Sequence, residues 1–255
     1  MNRSLAFSAV LALTAFSCPA LDDESLAAIG RRVWQNECGG TRVGLTSWNN
    51  GEAFASLGIG HCIWYPKGTS GPFEESFPEL LRFFAANDVK FPAWLAPGAG
   101  CPWKTRADFL AAAHSRQMNE LRDLLAATIR VQSRFLAQRM ERALPKLLAA
   151  ASASRREHVR AQFARLAATG KGTFALIDYV NFKGEGTNPK ERYNGEGWGL
   201  LQVLEGMDAG DASPAQAFGD SAARVLTRRV KNSPADRKES RWLPGWTSRV
   251  KAYNG

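Results

Sequence analysis

With 255 residues, the chain is long enough for one large domain or one domain carrying an insertion, and its 45% hydrophobic content is ordinary for a globular protein. It holds no internal repeat, low-complexity tract, Walker loop, dinucleotide fingerprint or zinc-type Cys/His spacing, so neither a metal nor an organic cofactor is expected. The formal net charge is +9, which suits an anionic partner.

Residues 1–20 read as a secretory signal peptide cut after Ala20: one positive charge, an apolar core and a small-residue end. The apolar run is too short for a membrane span, and no second one follows, so no stable membrane insertion is expected. Cys18 follows Ala15-Phe16-Ser17, but bulky Phe16 makes a poor lipobox, which leaves a lipoprotein as the lesser alternative. The chain is therefore expected to be exported, to the periplasm or beyond. Cleavage lowers the net charge to +8, because the leader carries one arginine and no acid. A basic exported protein meets anionic cell-wall polymer rather than nucleic acid. Cys38, Cys62 and Cys101 remain. An oxidising compartment permits one disulfide, and a Cys38–Cys62 bridge would tie a helix end to a hairpin; the alternative is three buried thiols.

The segment D-D-E-S-L-A-A-I-G-R-R-V-W-Q-N-E places Leu26, Ile29, Val33 and Trp34 at helical spacing, behind an acidic start at Asp22, Asp23 and Glu24. Gly39 and Gly40 supply the stop. Glu37 thus falls in the last turn, where the helix dipole raises a carboxyl pKa, and shielding by Trp34 or Trp48 would raise it further. Such a carboxyl suits a general acid. The apolar stretch Ala53–Tyr65, broken by Gly58 and Gly60, predicts a small twisted hairpin.

The run from Glu37 through Ser56-Leu57-Gly58-Ile59-Gly60-His61 resembles the lysozyme-like superfamily, and the phage endolysin-type lysozymes in particular. Those enzymes carry a catalytic glutamate at the end of the first helix, then a hairpin with threonine or serine before G-x-G-H. The resemblance implies an α+β lysozyme-like fold that is mainly α, with a small β-hairpin lobe and a larger helical lobe. It implies cleavage of the peptidoglycan glycan strand, with Glu37 as general acid and Ser56 holding water or substrate. The family's aspartate, about six residues before the hydroxyl, is replaced here by Asn50. Glu52 is the nearest carboxylate and stands as the second catalytic candidate. Inverting hydrolysis needs two carboxyl groups roughly 6.5–9.5 Å apart; a single one favours lytic transglycosylation, with the sugar's own hydroxyl attacking. The lost aspartate also motivates a non-catalytic wall-binding alternative. His61 reads as a structural residue.

Further along, Glu74–Ala86 predicts a helix with Phe77, Leu80, Leu81 and Phe84 on one face. The F-P-A-W-L segment reads as packing under a loop, with sugar stacking as the rival. Thr105 caps a long helical region with neither Gly nor Pro from Arg106 to Leu144, interrupted at Pro145. A further helix is expected over about Ser154–Ala168. Residues 66–170 then form a helical insertion in a single lysozyme-like domain spanning 21–255. Thr173–Lys183 is an apolar helix stopped by Gly184-Glu185-Gly186. Here Glu185, Asn188-Pro189 and Gly199-Leu200-Leu201-Gln202 are similar to the soluble lytic transglycosylases, whose catalytic glutamate precedes N-P and G-L-M-Q. That resemblance would make Glu185 the acid. Glu37 is the better fit, because the hairpin and the C-terminal half then follow in order; Glu185, Tyr193 and Asn194 border the cleft as substrate-binding candidates. Helices near Ser213–Lys231 and Arg237–Tyr253 close the chain, and the last resembles the endolysin segment that packs back on the first helix.

Overall fold

Asp22 opens the first helix, α1 (Asp23–Cys38), by accepting the backbone N–H of Ser25 at 2.7 Å. The helix buries Leu26, Ile29 and Val33. It ends at Gly39, whose φ of +60° suits glycine, and Gly40 N–H returns to the Trp34 carbonyl at 3.2 Å. The computed structural model describes residues 22–255 apart from 72, 209 and 211; the expected signal peptide and Cys18 lie outside the described residues.

Three short strands follow, one more than a simple hairpin: β1 (Thr46–Ser47), β2 (Ala55–Leu57) and β3 (Cys62–Trp64), antiparallel in the order β1-β2-β3. Ser56 sits mid-sheet, opposite Ser47 and Ile63. The tight β2–β3 connection needs φ of +72° at Gly58 and +45° at His61.

Helix α2 (Phe77–Ala86) starts three residues later than the sequence suggests. The residues before it are held by the sheet: Glu75 Oε1 accepts Tyr65 N–H at 2.8 Å, and Ser76 Oγ accepts Ile63 N–H at 3.0 Å. Trp94, in the F-P-A-W-L segment, donates to Glu120 Oε2 at 3.0 Å and packs edge-on against Trp103, while Leu95 is buried.

The long helical region divides into α3 (Arg106–Ala111), α4 (Arg116–Ala127) and α5 (Ile129–Ala150). Thr105 and Asp108 form a capping box, and Ser115 caps α4 by accepting Met118 N–H. At the α4–α5 junction Thr128 Oγ1 donates back to the Leu124 carbonyl at 2.7 Å. Pro145 does not interrupt the helix as expected but lies inside α5. Ala143, Leu144 and Leu147 are buried around it, and that burial offsets the roughly 3 kcal/mol an interior proline costs.

Next come α6 (Arg156–Ala167), α7 (Gly170–Lys183), α8 (Leu200–Glu205), α9 (Pro214–Asn232) and α10 (Leu243–Lys251). Thr169 caps α7 by accepting Gly172 N–H at 3.1 Å, which starts it before Thr173. The expected helix over Arg237–Tyr253 is broken: Lys238 adopts φ of +49° between two 3₁₀ turns, Ala235–Arg237 and Glu239–Trp242. Pro244 then opens α10 in the first turn, where its missing N–H costs nothing.

The molecule is mainly helical with one small antiparallel sheet. A continuous core runs from Ile29 to Tyr253. Helix α7 passes through it and packs on α1, α5, α6, α8 and α9, while α10 lies along α9. Among the described residues, no helix is long and apolar enough to cross a membrane.

Candidate functional site

The end of α1 meets the sheet, α7 and α10 at one carboxyl group. Glu37 is only 13% exposed in its side chain. Its Oε1 accepts Arg249 Nη2 at 2.5 Å and Asn181 Nδ2 at 3.3 Å. Its Oε2 lies 3.5 Å from His61 Nδ1. The indole N–H groups of Trp34 and Trp48 go elsewhere, to the carbonyls of Thr41 and Glu52. Neither indole N–H is thus a partner of Glu37, whose hydrogen bonds come from Arg249 and Asn181.

The loop carrying His61 is fixed by α5. Gln132 Oε1 accepts Ile59 N–H at 2.9 Å, while its Nε2 donates to the Leu125 carbonyl and to Thr128 Oγ1. A Cβ at Gly58 would sit 2.4 Å from Gln132 Oε1, and one at Gly60 would press on Leu136 and Asn181. The glycines therefore let the hairpin seat against α5 and α7, which presents His61 to Glu37.

Arg249 itself is held by Asp178, a fully buried residue of α7. Arg249 Nε and Nη2 donate to the two carboxylate oxygens at 2.8 Å each. Tyr253 O–H adds a third bond at 2.6 Å and Asn36 Nδ2 a fourth at 3.3 Å. Burial opposes the guanidinium charge, but the hydrogen bonds and charge of Asp178, and then of Glu37, push the Arg249 pKa above its ordinary value. Burial, and then the charge of Asp178, hold the Tyr253 pKa well up, so its hydroxyl remains a donor. Two carboxylates share one arginine, and Asp178 takes the larger part of it. Arg249 thus ties the Glu37 carboxyl to the buried Asp178 carboxyl through one guanidinium.

Cys38 does not bridge to Cys62: all three described cysteines are free and buried. Cys38 Sγ donates to the Gly58 carbonyl at 3.5 Å and lies 3.7 Å from His61 Nε2. Burial, helped by the charge of Glu37, pushes this thiol up to about 12, so it is not a thiolate nucleophile. The Cys62 thiol, in β3, is also raised by burial.

Beside this cluster the Lys183 ammonium group stands 3.4 Å over the Trp246 ring and 3.9 Å over Phe182, with no hydrogen bond or ion pair among the described residues. Burial, and then Arg229 nearby, push its pKa down to about 6. Buried Glu239 accepts Tyr193 O–H at 2.9 Å and Arg229 through two N–H groups at 2.8 and 2.9 Å. Burial alone would raise that carboxyl, but the hydrogen bond and charge of Arg229 turn its pKa down.

Of the residues singled out in the sequence, Glu37 is at the centre of the cluster. Tyr193 is spent on Glu239 and packs at a tilt against Trp198, and exposed Asn194 forms a tight turn with φ of +51°. Glu185 pairs with Lys146 at 2.8 Å. Ser56 is buried in the middle strand. Glu52 is half-buried, and its Oε2 is enclosed with no hydrogen-bond partner among the described residues. No hydrogen bond or ion pair connects Glu52, Ser56, Glu185, Tyr193 or Asn194 to Glu37. Sequence reasoning missed Asp178, Asn181 and the pairing of Arg249. A signal was present: Asp178 stands alone in the apolar run F-A-L-I-D-Y-V, and a charge buried there must find a partner.

No protein-family model, curated protein or solved structure matches this chain. Function therefore has to be argued from the site.

Proposed function

We propose that this protein is an exported, lysozyme-like glycosidase that cuts the glycan strand of peptidoglycan with Glu37 as general acid. The observation that carries the reading is the setting of Glu37: a shielded carboxyl closing a helix, flanked by a histidine on a glycine-tipped hairpin, with its arginine shared with a buried aspartate. In this reading the hairpin and the larger helical body are the two lobes of a lysozyme-like fold.

The chemistry runs through a proton held on Glu37. Asn181 and His61 fix the direction of the two carboxyl oxygens. As the glycosidic bond lengthens, Glu37 gives its proton to the departing oxygen, and the resulting carboxylate is received by Arg249. Such positioned proton transfer contributes about 10²–10⁴-fold. The electrophilic carbon is then taken by water or by a hydroxyl of the same sugar. Glu52, with its unpartnered Oε2, is the candidate base for the water route. The replacement of the family's aspartate by Asn50 is what keeps the single-carboxylate route, lytic transglycosylation, as the second reading.

Glu185 is the weaker acid candidate, because its ion pair with Lys146 is more exposed than the setting of Glu37 and no hairpin histidine flanks it. Digestion of purified peptidoglycan, with mass spectrometry of the products, tests the reading. New reducing ends mean hydrolysis and anhydro ends mean transglycosylation. Absence of both from folded wild-type protein that still binds the wall would replace the enzyme with a wall-binding protein.

A further inference from the structure

Behind Arg249 lies a cavity of about 400 Å³, lined by residues of α1, α7 and α10. Its walls include Arg32, Phe174, Phe182, Trp246, Ser248 and Arg249. The mechanism above uses none of this space.

Two features give it a chemical character. Its guanidinium groups lie over aromatic rings: the Cζ of Arg32 is 4.2 Å from the Phe174 centroid and that of Arg249 is 4.1 Å from Phe182. Stacking of this kind leaves the donor edge of the fork open to a planar anion. Arg32 spends only Nη2, on the Ala252 carbonyl, and Arg249 leaves Nη1 without an acceptor among the described residues. The charge balance points the same way. Asp178 and Glu37 share Arg249, and Glu239 is taken by Arg229 and Arg237. Arg32 remains as a cation with no carboxylate partner among the described residues, and the Lys183 side chain rests on two rings that line the cavity.

We infer that this cavity is a binding site for a compact organic carboxylate with a flat apolar body. The carboxylate meets the open edges of Arg32 and Arg249, and the body lies against Phe182 and Trp246. Because Arg249 also holds Glu37, an occupant of the cavity pulls on the same guanidinium as the site carboxyl. The inference is independent of the glycosidase reading, since it concerns a space that reading does not use.

Benzoate is the probe, with benzamide as its uncharged counterpart, followed by calorimetry on the full chain. One benzoate binds per chain, and benzamide binds about tenfold more weakly or less, the scale of a charge-assisted hydrogen bond. Arg32→Gln weakens benzoate by about the same factor for the same reason. Gly245→Leu abolishes binding while the fold is kept, because a Cβ at Gly245 has nothing within 4 Å and projects at the cavity wall. The inference is overturned if folded wild type does not bind benzoate at millimolar concentration. It is equally overturned if benzamide matches benzoate, or if folded Gly245→Leu binds as wild type does. Peptidoglycan cleavage is scored separately and bears on the other claim alone.

Discussion

Replacing Asp178 with asparagine is the most informative perturbation of the cluster, because it removes a charge and leaves the shape. Asp178 is fully buried and accepts four hydrogen bonds, two from Arg249 and one each from Tyr253 and Asn36. Asparagine keeps one acceptor oxygen and turns the other into a donor facing a guanidinium. Arg249 is then a buried cation whose only remaining carboxylate is Glu37, 2.5 Å away. Breaking a buried pair in this way costs about 3–5 kcal/mol. For a chain of this size each kcal/mol is worth about 2–4 °C, so the melting temperature falls by roughly 10 °C. Arg249→Gln strands Asp178 and costs a similar amount. The double variant Asp178→Asn/Arg249→Gln removes both charges and falls well short of the sum, with a coupling of about 2 kcal/mol or more. Urea denaturation of the four proteins, followed by circular dichroism, measures all three values. Additivity to within about 0.5 kcal/mol would refute the idea that the two residues form one buried ionic unit.

Other consequences follow from the same geometry. Lys183 has a folded-state pKa below its unfolded value, so the folded chain binds fewer protons between about pH 6 and 10 and Lys183 weakens stability there increasingly as pH falls. Lys183→Met should therefore melt higher than wild type by a margin that grows from pH 9 to pH 6; a margin independent of pH contradicts this. The groups facing Lys183 are Glu37, Arg229, Glu239 and Arg249, all retained in that variant. Gln132→Ala strands the buried Ile59 N–H, at about 1–3 kcal/mol, and should loosen the hairpin loop; hydrogen exchange at residues 58–61 reads this directly, and unchanged protection counts against it. Cys38, Cys62 and Cys101 should resist iodoacetamide at pH 8 until urea is added, as seen by mass spectrometry, because burial keeps each thiol protonated.

The helix ending at Glu37 was legible in the sequence to within a residue, because cap, apolar stripe and glycine stop all agree there. The hairpin was legible from Gly58 and Gly60 for the same reason. Pro145 misled because local rules price a proline without seeing the core that surrounds it. The start of α2 was hidden because Glu75 and Ser76 cap strand N–H groups, a tertiary use of residues that suit a helix. The broken C-terminal helix turns on Glu239, drawn into the interior by Arg229 and Tyr193, which no local pattern reveals. The site shows the same division. Glu37 could be picked out from its own neighbours. Asp178, Asn181 and Arg249 lie 141 or more residues further on, and only packing of α7 and α10 brings them to it.

The central claim is that Glu37 supplies the proton. The rate of glycan cleavage on purified peptidoglycan by wild type, Glu37→Gln and Glu185→Gln tests it most directly, with each variant first shown to be folded. The account predicts that Glu37→Gln loses at least about 10²-fold while Glu185→Gln stays within a few-fold of wild type. Retained cleavage in Glu37→Gln, or its loss in Glu185→Gln alone, would contradict it.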